Sequence, residues 1–149
     1  MTREHLDNLI NHLLDEVIAL ESMVREAILE SVKSLMTQDK NLTKANRWIF
    51  EELDIKSYDE FKAKYPLKSE GNRYFRNYTG YMEILSTLVN KELISEDLVF
   101  DLFGSSMWEK LAPIVYGMRK DIGMPRYLEN YEVLSKKYPK WAEENPPKV

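Results

Sequence analysis

The longest uninterrupted helical pattern in the chain spans residues 9–36, LINHLLDEVIALESMVREAILESVKSLM, and it contains neither proline nor glycine. Apolar residues recur in it at every third or fourth position, which is the spacing of one face of an α-helix. A helix over residues 3–37 would be about 50 Å long, whereas a compact domain of this size has a radius of gyration near ~15 Å. The helix is therefore predicted to extend beyond the domain that carries it.

One line of apolar residues follows this helix at alternating spacings of four and three, which is the pattern of a coiled-coil seam. Along this line lie Leu6, Ile10, Leu13, Val17, Leu20, Val24 and Ala27, and the first six are the predicted seam. Further apolar residues widen it into a stripe: Leu9, Leu14, Ile18, Ile28, Val32 and Leu35. Two interpretations are open, because the stripe can pack on later helices of the same chain or on a second copy of the chain. We predict the second arrangement, a dimer with the seam as its interface.

The sequence after this helix predicts shorter helices separated by turns, and it contains no β-hairpin signal. A polar turn at 37–41 is followed by a second helix that would run antiparallel to the first, because the connection is short. The predicted fold is all-α: a long N-terminal helix in an antiparallel hairpin, then a compact bundle of about four or five shorter helices. The hairpin (1–54) is the predicted association element, residues 55–138 form a small helical domain, and residues 139–149 form a flexible tail.

Local signals predict where several of these helices begin and end. Predicted N-terminal capping residues are Asp39 or Asn41 for the second helix, then Ser57 with Glu60, Ser95, and Ser106 with Glu109. The stretch LKSEGN at 67–72 is predicted to be a polar loop and hinge. Pro125 is predicted to be the first residue of the final helix.

Composition excludes several classes of protein. The absence of cysteine removes disulfides, thiolate metal sites and cysteine nucleophiles. No apolar run approaches the roughly 18–20 residues of a membrane span, and the N-terminus lacks the features of a signal peptide. We therefore expect no membrane partner and a cytoplasmic location.

Charge is distributed unevenly along the chain, whose net charge is −4. Residues 1–54 carry six Lys or Arg against eleven Asp or Glu, whereas residues 55–149 carry fifteen against fourteen. Nucleic-acid-binding proteins present a basic stripe, and the long helix is acidic instead. Nucleic acid is therefore not an expected ligand.

No motif predicts a catalytic centre, a metal site or a cofactor. The only histidines, His5 and His12, lack the Glu three residues earlier that a di-iron bundle site requires. The paired carboxylates lie on predicted exposed turns, and no Gly-x-Ser-x-Gly elbow or phosphate-binding glycine loop is present. We predict a protein without catalytic residues, metal or cofactor.

Two charged features remain as candidate sites. A basic and aromatic segment supplies a candidate anion-binding surface, Lys62, Lys64, Lys68, Arg73 and Arg76, although its tyrosines also fit a core and its lysines a solvated face. Arg119 lies at the edge of an apolar helix face, and an enclosed cation requires a carboxylate partner. Glu83 and Glu132 are the candidate partners for a structural ion pair, and a ligand contact is the alternative.

The N-terminal segment resembles a known family. Residues 3–54, above all REHLDNLINHLLDEVIALESMVREAILESVKSLMTQDKNL, resemble the first helical hairpin of the PhoU family of phosphate-uptake regulators. That resemblance implies tandem three-helix bundles with acidic metal-cluster motifs, near Glu51 and Asp54 here. Phe50 and Ile55 occupy positions where the carboxylate spacing would need an acid, so no metal site is predicted.

A longer segment, residues 45–138, resembles a family of small all-helical domains known only as a domain of unknown function. The elements that carry the resemblance are ANRWIFEEL (45–53), YMEILSTLVNKELISEDLVFDLFG (81–104), Trp108, Pro113, Arg119 and YLENYEVLSKKY (127–138). This resemblance implies an all-helical fold and brings no established activity.

Three functions follow from these observations. The leading hypothesis is a non-catalytic helical protein that self-associates through its first helix and binds a protein partner. The second is a PhoU-like metal- or phosphate-responsive regulator. The third is an enzyme whose site is assembled from residues scattered along the chain.

Overall fold

The computed structural model describes residues 2–105 and 107–149, apart from the side chains of residues 35–37, so the predicted roles of Ser106 and Leu35 lie outside the described residues. The described residues form eight helices and no β-strand. The helices are α1 (Arg3–Gln38), α2 (Lys40–Glu51), α3 (Tyr58–Lys64), α4 (Glu70–Asn90), α5 (Glu96–Phe103), α6 (Trp108–Ile122), α7 (Glu129–Ser135) and α8 (Tyr138–Glu144). The prediction of an all-α fold, with a long N-terminal helix followed by shorter helices, is confirmed.

Three predicted capping residues begin the helices that they were expected to begin. The Asp39 carboxylate accepts hydrogen bonds from the backbone N–H groups of Asn41 and Leu42. The hydroxyls of Ser57 and Ser95 accept from the third residues of α3 and α5 in the same way. Each cap satisfies an N–H group that lacks a partner in the first turn of a helix.

The hydrophobic core lies around α4, which packs against α2, α5 and α7, while α3 packs against α6. Large side chains fill it without access to solvent, including Phe61, Phe75 and Tyr131. The rings of Phe61 and Phe75 lie 4.8 Å apart between centroids, within the range of favourable aromatic contacts. A dense aromatic core therefore holds the shorter helices together.

The first helix reaches this core only near its C-terminal end. Val32 is buried, and Ile28 and Leu29 pack against the core. The Tyr81 hydroxyl donates a hydrogen bond to the Val32 carbonyl at 3.2 Å, and burial raises the pKa of Tyr81 to about 12. Residues 2–27 are exposed along their whole length.

The prediction of a polar loop over 67–72 is wrong for its last three residues. Ser69 caps α4 by accepting from the Asn72 N–H, and the helix begins at Glu70. Gly71 lies inside the helix, where an added Cβ would come 2.3 Å from Cδ1 of Tyr65. The glycine is needed for a close contact between helix and ring.

The predicted start of the final helix at Pro125 is also wrong. Pro125 lies in a turn, and Leu128 adopts a left-handed conformation with φ of 57° before α7 begins at Glu129. Leu128 is nevertheless buried. A non-glycine residue in this conformation is uncommon, and here its side chain lies in the core.

The segment from Pro139 onward, expected to be a flexible tail, begins with a further helix, α8. The Trp141 ring packs against Phe100 of α5 with 5.5 Å between centroids. Its indole N–H donates to the Asp97 carboxylate at 2.8 Å. Aromatic packing and one hydrogen bond thus attach this helix to α5.

Candidate association surface and charged clusters

The exposed part of α1 carries a concentration of apolar side chains. Among the described residues, half of the exposed large apolar side chains lie between Leu6 and Val24. The six seam residues, Leu6, Ile10, Leu13, Val17, Leu20 and Val24, are 45–60% exposed. Scattered exposed leucines are ordinary, whereas a large contiguous apolar patch is typical of surfaces that take part in interactions.

Local interactions support the helix where the core does not touch it. The Thr2 hydroxyl accepts from the His5 N–H at 3.2 Å and caps the N-terminus. Glu21 and Arg25, four residues apart, form an ion pair at 2.8 Å. Such pairs contribute only about 0.2–0.5 kcal/mol each, so the helix gains little from its own polar face.

The histidines predicted to be without a metal lie on this same exposed segment. His12 Nε2 lies 3.3 Å from Glu16 Oε1, and both side chains are exposed. Within the described residues, no group of three or more His, Asp or Glu side chains is placed to hold a metal ion.

Arg119 on α6 is enclosed and pairs with Glu132 on α7. Its Nη1 lies 2.6 Å from Glu132 Oε2, and both side chains are about 15% exposed. Its Nε donates to the Tyr127 carbonyl at 2.8 Å, and the guanidinium lies 5.5 Å from the centroid of the Tyr116 ring. These contacts join α6, the turn before α7 and α7 itself.

The Glu132 carboxylate is the centre of this cluster. It also accepts from the Tyr116 hydroxyl at 2.8 Å and from the Lys136 ammonium at 2.6 Å. Burial alone would raise the pKa of Glu132, but the hydrogen bonds from Lys136, Tyr116 and Arg119 outweigh burial and lower the pKa to about 2. The carboxylate is therefore strongly held in its charged form.

Glu83, the other predicted partner of Arg119, has a different role. Its carboxylate accepts from the backbone N–H of Tyr131 at 2.8 Å and from the side-chain amide of Asn130 at 3.0 Å. These residues lie in the first turn of α7, whose own N-cap residue supplies no side-chain hydrogen bond. Glu83 thus caps α7 from α4, where a negative charge is favourable.

The predicted basic surface divides into two parts. Lys68, Arg73 and Arg76 line one open groove of about 550 Å³ at the N-terminal end of α4. Lys62 lies elsewhere, 3.6 Å from Asp121, and Lys64 lies over the Tyr65 ring. The structure therefore brings three of the five cations together.

The cations that line a larger cleft are bound to the protein itself. This cleft, of about 640 Å³, has Trp108 and Tyr138 in its wall. Lys110 donates to the Ile49 carbonyl at 2.7 Å, and Lys136 is bound to Glu132. The cleft offers aromatic surface and two cations already engaged in structural contacts.

Sequence reasoning missed several polar contacts. Tyr116 and Lys136 both contact Glu132. The contact of Lys136 could be predicted from the sequence, because Lys136 follows Glu132 by about one helical turn. The contact of Trp141 with Asp97 spans 44 residues. No local spacing predicts a contact of that separation.

The comparisons with known proteins place the chain in one family. The model of a family described as "Domain of unknown function (DUF4760)" matches residues 18–141. No curated protein and no solved structure matches the chain, and none of these comparisons supports the resemblance of residues 3–54 to PhoU. In the part of the chain that the structure describes, no helix combines the length and hydropathy needed to cross a membrane.

Proposed function

The chain belongs to the DUF4760 family, a domain of unknown function, and we propose that this member is a non-catalytic helical protein that pairs with a second copy of itself through α1. Pairing would present two copies of the globular part, residues 28–149, to a partner protein. Two linked copies bind a partner with two sites more tightly than either copy alone. The lack of cysteine fits a reducing compartment such as the cytoplasm.

The apolar face of α1 carries the proposal. The seam residues Leu6, Ile10, Leu13, Val17, Leu20 and Val24 are about half exposed, and the rest of the chain does not bury them. Fully burying a Val or Leu side chain stabilises by about 1.5–3 kcal/mol, so each half-exposed seam residue would contribute about 1 kcal/mol. Six residues from each copy would stabilise the pair by about 12 kcal/mol. The translational and rotational freedom lost on association costs about 4–15 kcal/mol, so the two terms are of similar size.

The charged clusters support a role without catalysis. Arg119 and Glu132 join α6 to α7, and Glu83 caps α7, so the enclosed ionised groups serve the fold. A catalytic carboxyl needs a raised affinity for protons in its pocket. Glu132 shows the opposite shift.

Two matched variants test the proposal, and both change exposed residues of α1. Leu13→Gln removes an apolar side chain from the centre of the seam. Ser22→Gln places the same side chain on the opposite, polar face and serves as the control. We expect the dissociation constant of the full chain to lie in the micromolar range, Leu13→Gln to weaken pairing at least tenfold, and Ser22→Gln to leave it unchanged.

Sedimentation equilibrium measures these dissociation constants, and circular dichroism checks that both variants keep their helical content. A full chain that stays monomeric at tens of micromolar would overturn the proposal. Pairing that is equally strong in the two variants would show that association uses another surface.

A further inference from the structure

The residue types along the seam differ between its two alternating positions. In heptad notation, the a positions are Ile10, Val17 and Val24, and the d positions are Leu6, Leu13 and Leu20. In parallel coiled coils, β-branched residues at a with leucine at d favour two strands over larger bundles, so the seam has the composition of a parallel two-stranded pair. We propose that α1 helices of two copies pair in parallel and in register, with Glu16 of each copy facing Glu21 of the other. This inference rests on the proposed function and adds the orientation of the pair and its control by charge.

The flanking residues follow from that arrangement. In a parallel pair, a residue at position g faces the partner residue five positions later, at e. Leu9 then meets the partner's Leu14, and both are exposed apolar residues in one copy. Glu16 meets the partner's Glu21, so two like-charged contacts flank the centre of the pair.

Neighbours on the same helix contact these carboxylates without removing the repulsion between the two copies. Glu16 has His12 at 3.3 Å, and Glu21 has Arg25 at 2.8 Å. All four side chains are exposed, as are their neighbours along this part of the helix. The repulsion weakens pairing, and added salt screens it. Pairing therefore tightens as ionic strength rises.

The antiparallel alternative gives different neighbours. In the antiparallel register that buries all six seam residues, Glu16 faces the partner's Glu16, and Glu21 faces the partner's Asp7. Reversing one charge therefore has different effects in the two orientations. Glu16→Lys creates two attractive contacts in the parallel pair and only a lysine–lysine contact in the antiparallel pair.

The orientation decides how the globular parts are displayed. Each is attached to the C-terminal end of α1, from Ile28 onward. Parallel pairing places both at the same end of a stalk that is about 30 Å long over residues 6–24. Two identical surfaces then face the same side, whereas antiparallel pairing would place them at opposite ends.

Charge reversal in the full chain tests the contact. Replacing two repulsions with two attractions should tighten pairing about tenfold in Glu16→Lys, and equally in Glu21→Lys. The double variant should return to the affinity of the original chain, because two lysines then face each other. Glu26→Lys, on the outer face of the helix, makes the same charge change and should not tighten pairing.

A cysteine test gives the orientation directly, since the chain has no cysteine of its own. In the parallel pair, Leu6→Cys lies beside its own counterpart and should form a disulfide-linked dimer on mild oxidation. In the antiparallel pair, Leu6→Cys alone should stay unlinked, and a mixture with Val24→Cys should link. The second result, or a trimer or tetramer in sedimentation, would overturn the parallel two-stranded pair while leaving self-association intact. A full chain that is monomeric at tens of micromolar would overturn the proposed function itself.

Discussion

Replacing Glu132 by glutamine tests the charged cluster that joins α6 to α7. The substitution keeps the shape of the side chain and removes its charge. Glu132 lies within 2.6–2.8 Å of three donors, on Arg119, Tyr116 and Lys136. The variant leaves the enclosed guanidinium of Arg119 without its carboxylate. Breaking a buried ion pair in this way typically costs about 3–5 kcal/mol.

The pKa of Glu132 gives the magnitude and the pH range. Its value falls from 4.5 to about 2 in the folded protein. That difference corresponds to about 3 kcal/mol of stability. Because the folded pKa is the lower one, this stability is fully present above the unfolded value of 4.5 and is lost as pH falls from there towards 2. The original chain should therefore lose about 3 kcal/mol more than Glu132→Gln over that interval.

Urea unfolding followed by circular dichroism, at pH values from neutral to below three, measures both effects. Glu129→Gln is the matched control, because Glu129 pairs with Arg126 on the surface, where an ion pair contributes little. We expect the control to follow the original chain at every pH. If Glu132→Gln showed the same acid sensitivity as the original chain, the charge of Glu132 would not be what stabilises this junction.

Three further outcomes follow from the contacts of single side chains. Gly80→Ala should raise the free energy of unfolding by about 0.5–1 kcal/mol, because an added Cβ meets nothing within 4 Å. Gly117→Ala should lower the free energy of unfolding, since its Cβ would lie 2.2 Å from Cβ of Tyr58. Thermal unfolding compares the two alanine variants, and equal effects on stability would contradict the close contact at Gly117. Trp141→Phe keeps an aromatic ring at this position but loses the hydrogen bond to Asp97. The attachment of α8 should weaken by about 1 kcal/mol, so limited proteolysis should cleave α8 faster.

The long helix and several caps could be predicted because their signals are local. The apolar periodicity predicts a helix over 3–37, and α1 ends at Gln38 in the structure. Asp39, Ser57 and Ser95 act through backbone groups two or three residues away. Spacing along the chain is sufficient to recognise such contacts.

The errors arose where a distant residue decides the local structure. Gly71 lies in a segment whose composition is typical of a loop. A glycine is needed there because the ring of Tyr65 packs closely against α4. Pro125 suits the start of a helix, yet α7 begins only after Leu128, which has a left-handed backbone conformation and a buried side chain. In both cases tertiary packing outweighs local preference.

The candidate sites show the same division. The sequence offered Glu83 and Glu132 equally to Arg119, and only the packing of α4 and α6 against α7 separates them. The sequence predicts one basic surface. In the structure, however, Lys62 and Lys64 lie on α3, and the groove lined by the other three cations lies at the start of α4. Sequence identifies which groups need partners, and the fold decides which partners they meet.

The division of α1 into a core-bound end and an exposed end links helix formation to pairing. An isolated helix is costly to start and only marginally stable in water, because its first turn fixes several residues for one hydrogen bond. Here Ile28 and Val32 pack against the core, which offsets that cost at one end of a helix that extends to Arg3. Within one copy, its N-terminal turns are held by weak polar pairs, and the proposed pairing would add burial of the seam. Fraying should therefore begin at the N-terminus, and, under the proposed pairing, helix content should rise with protein concentration.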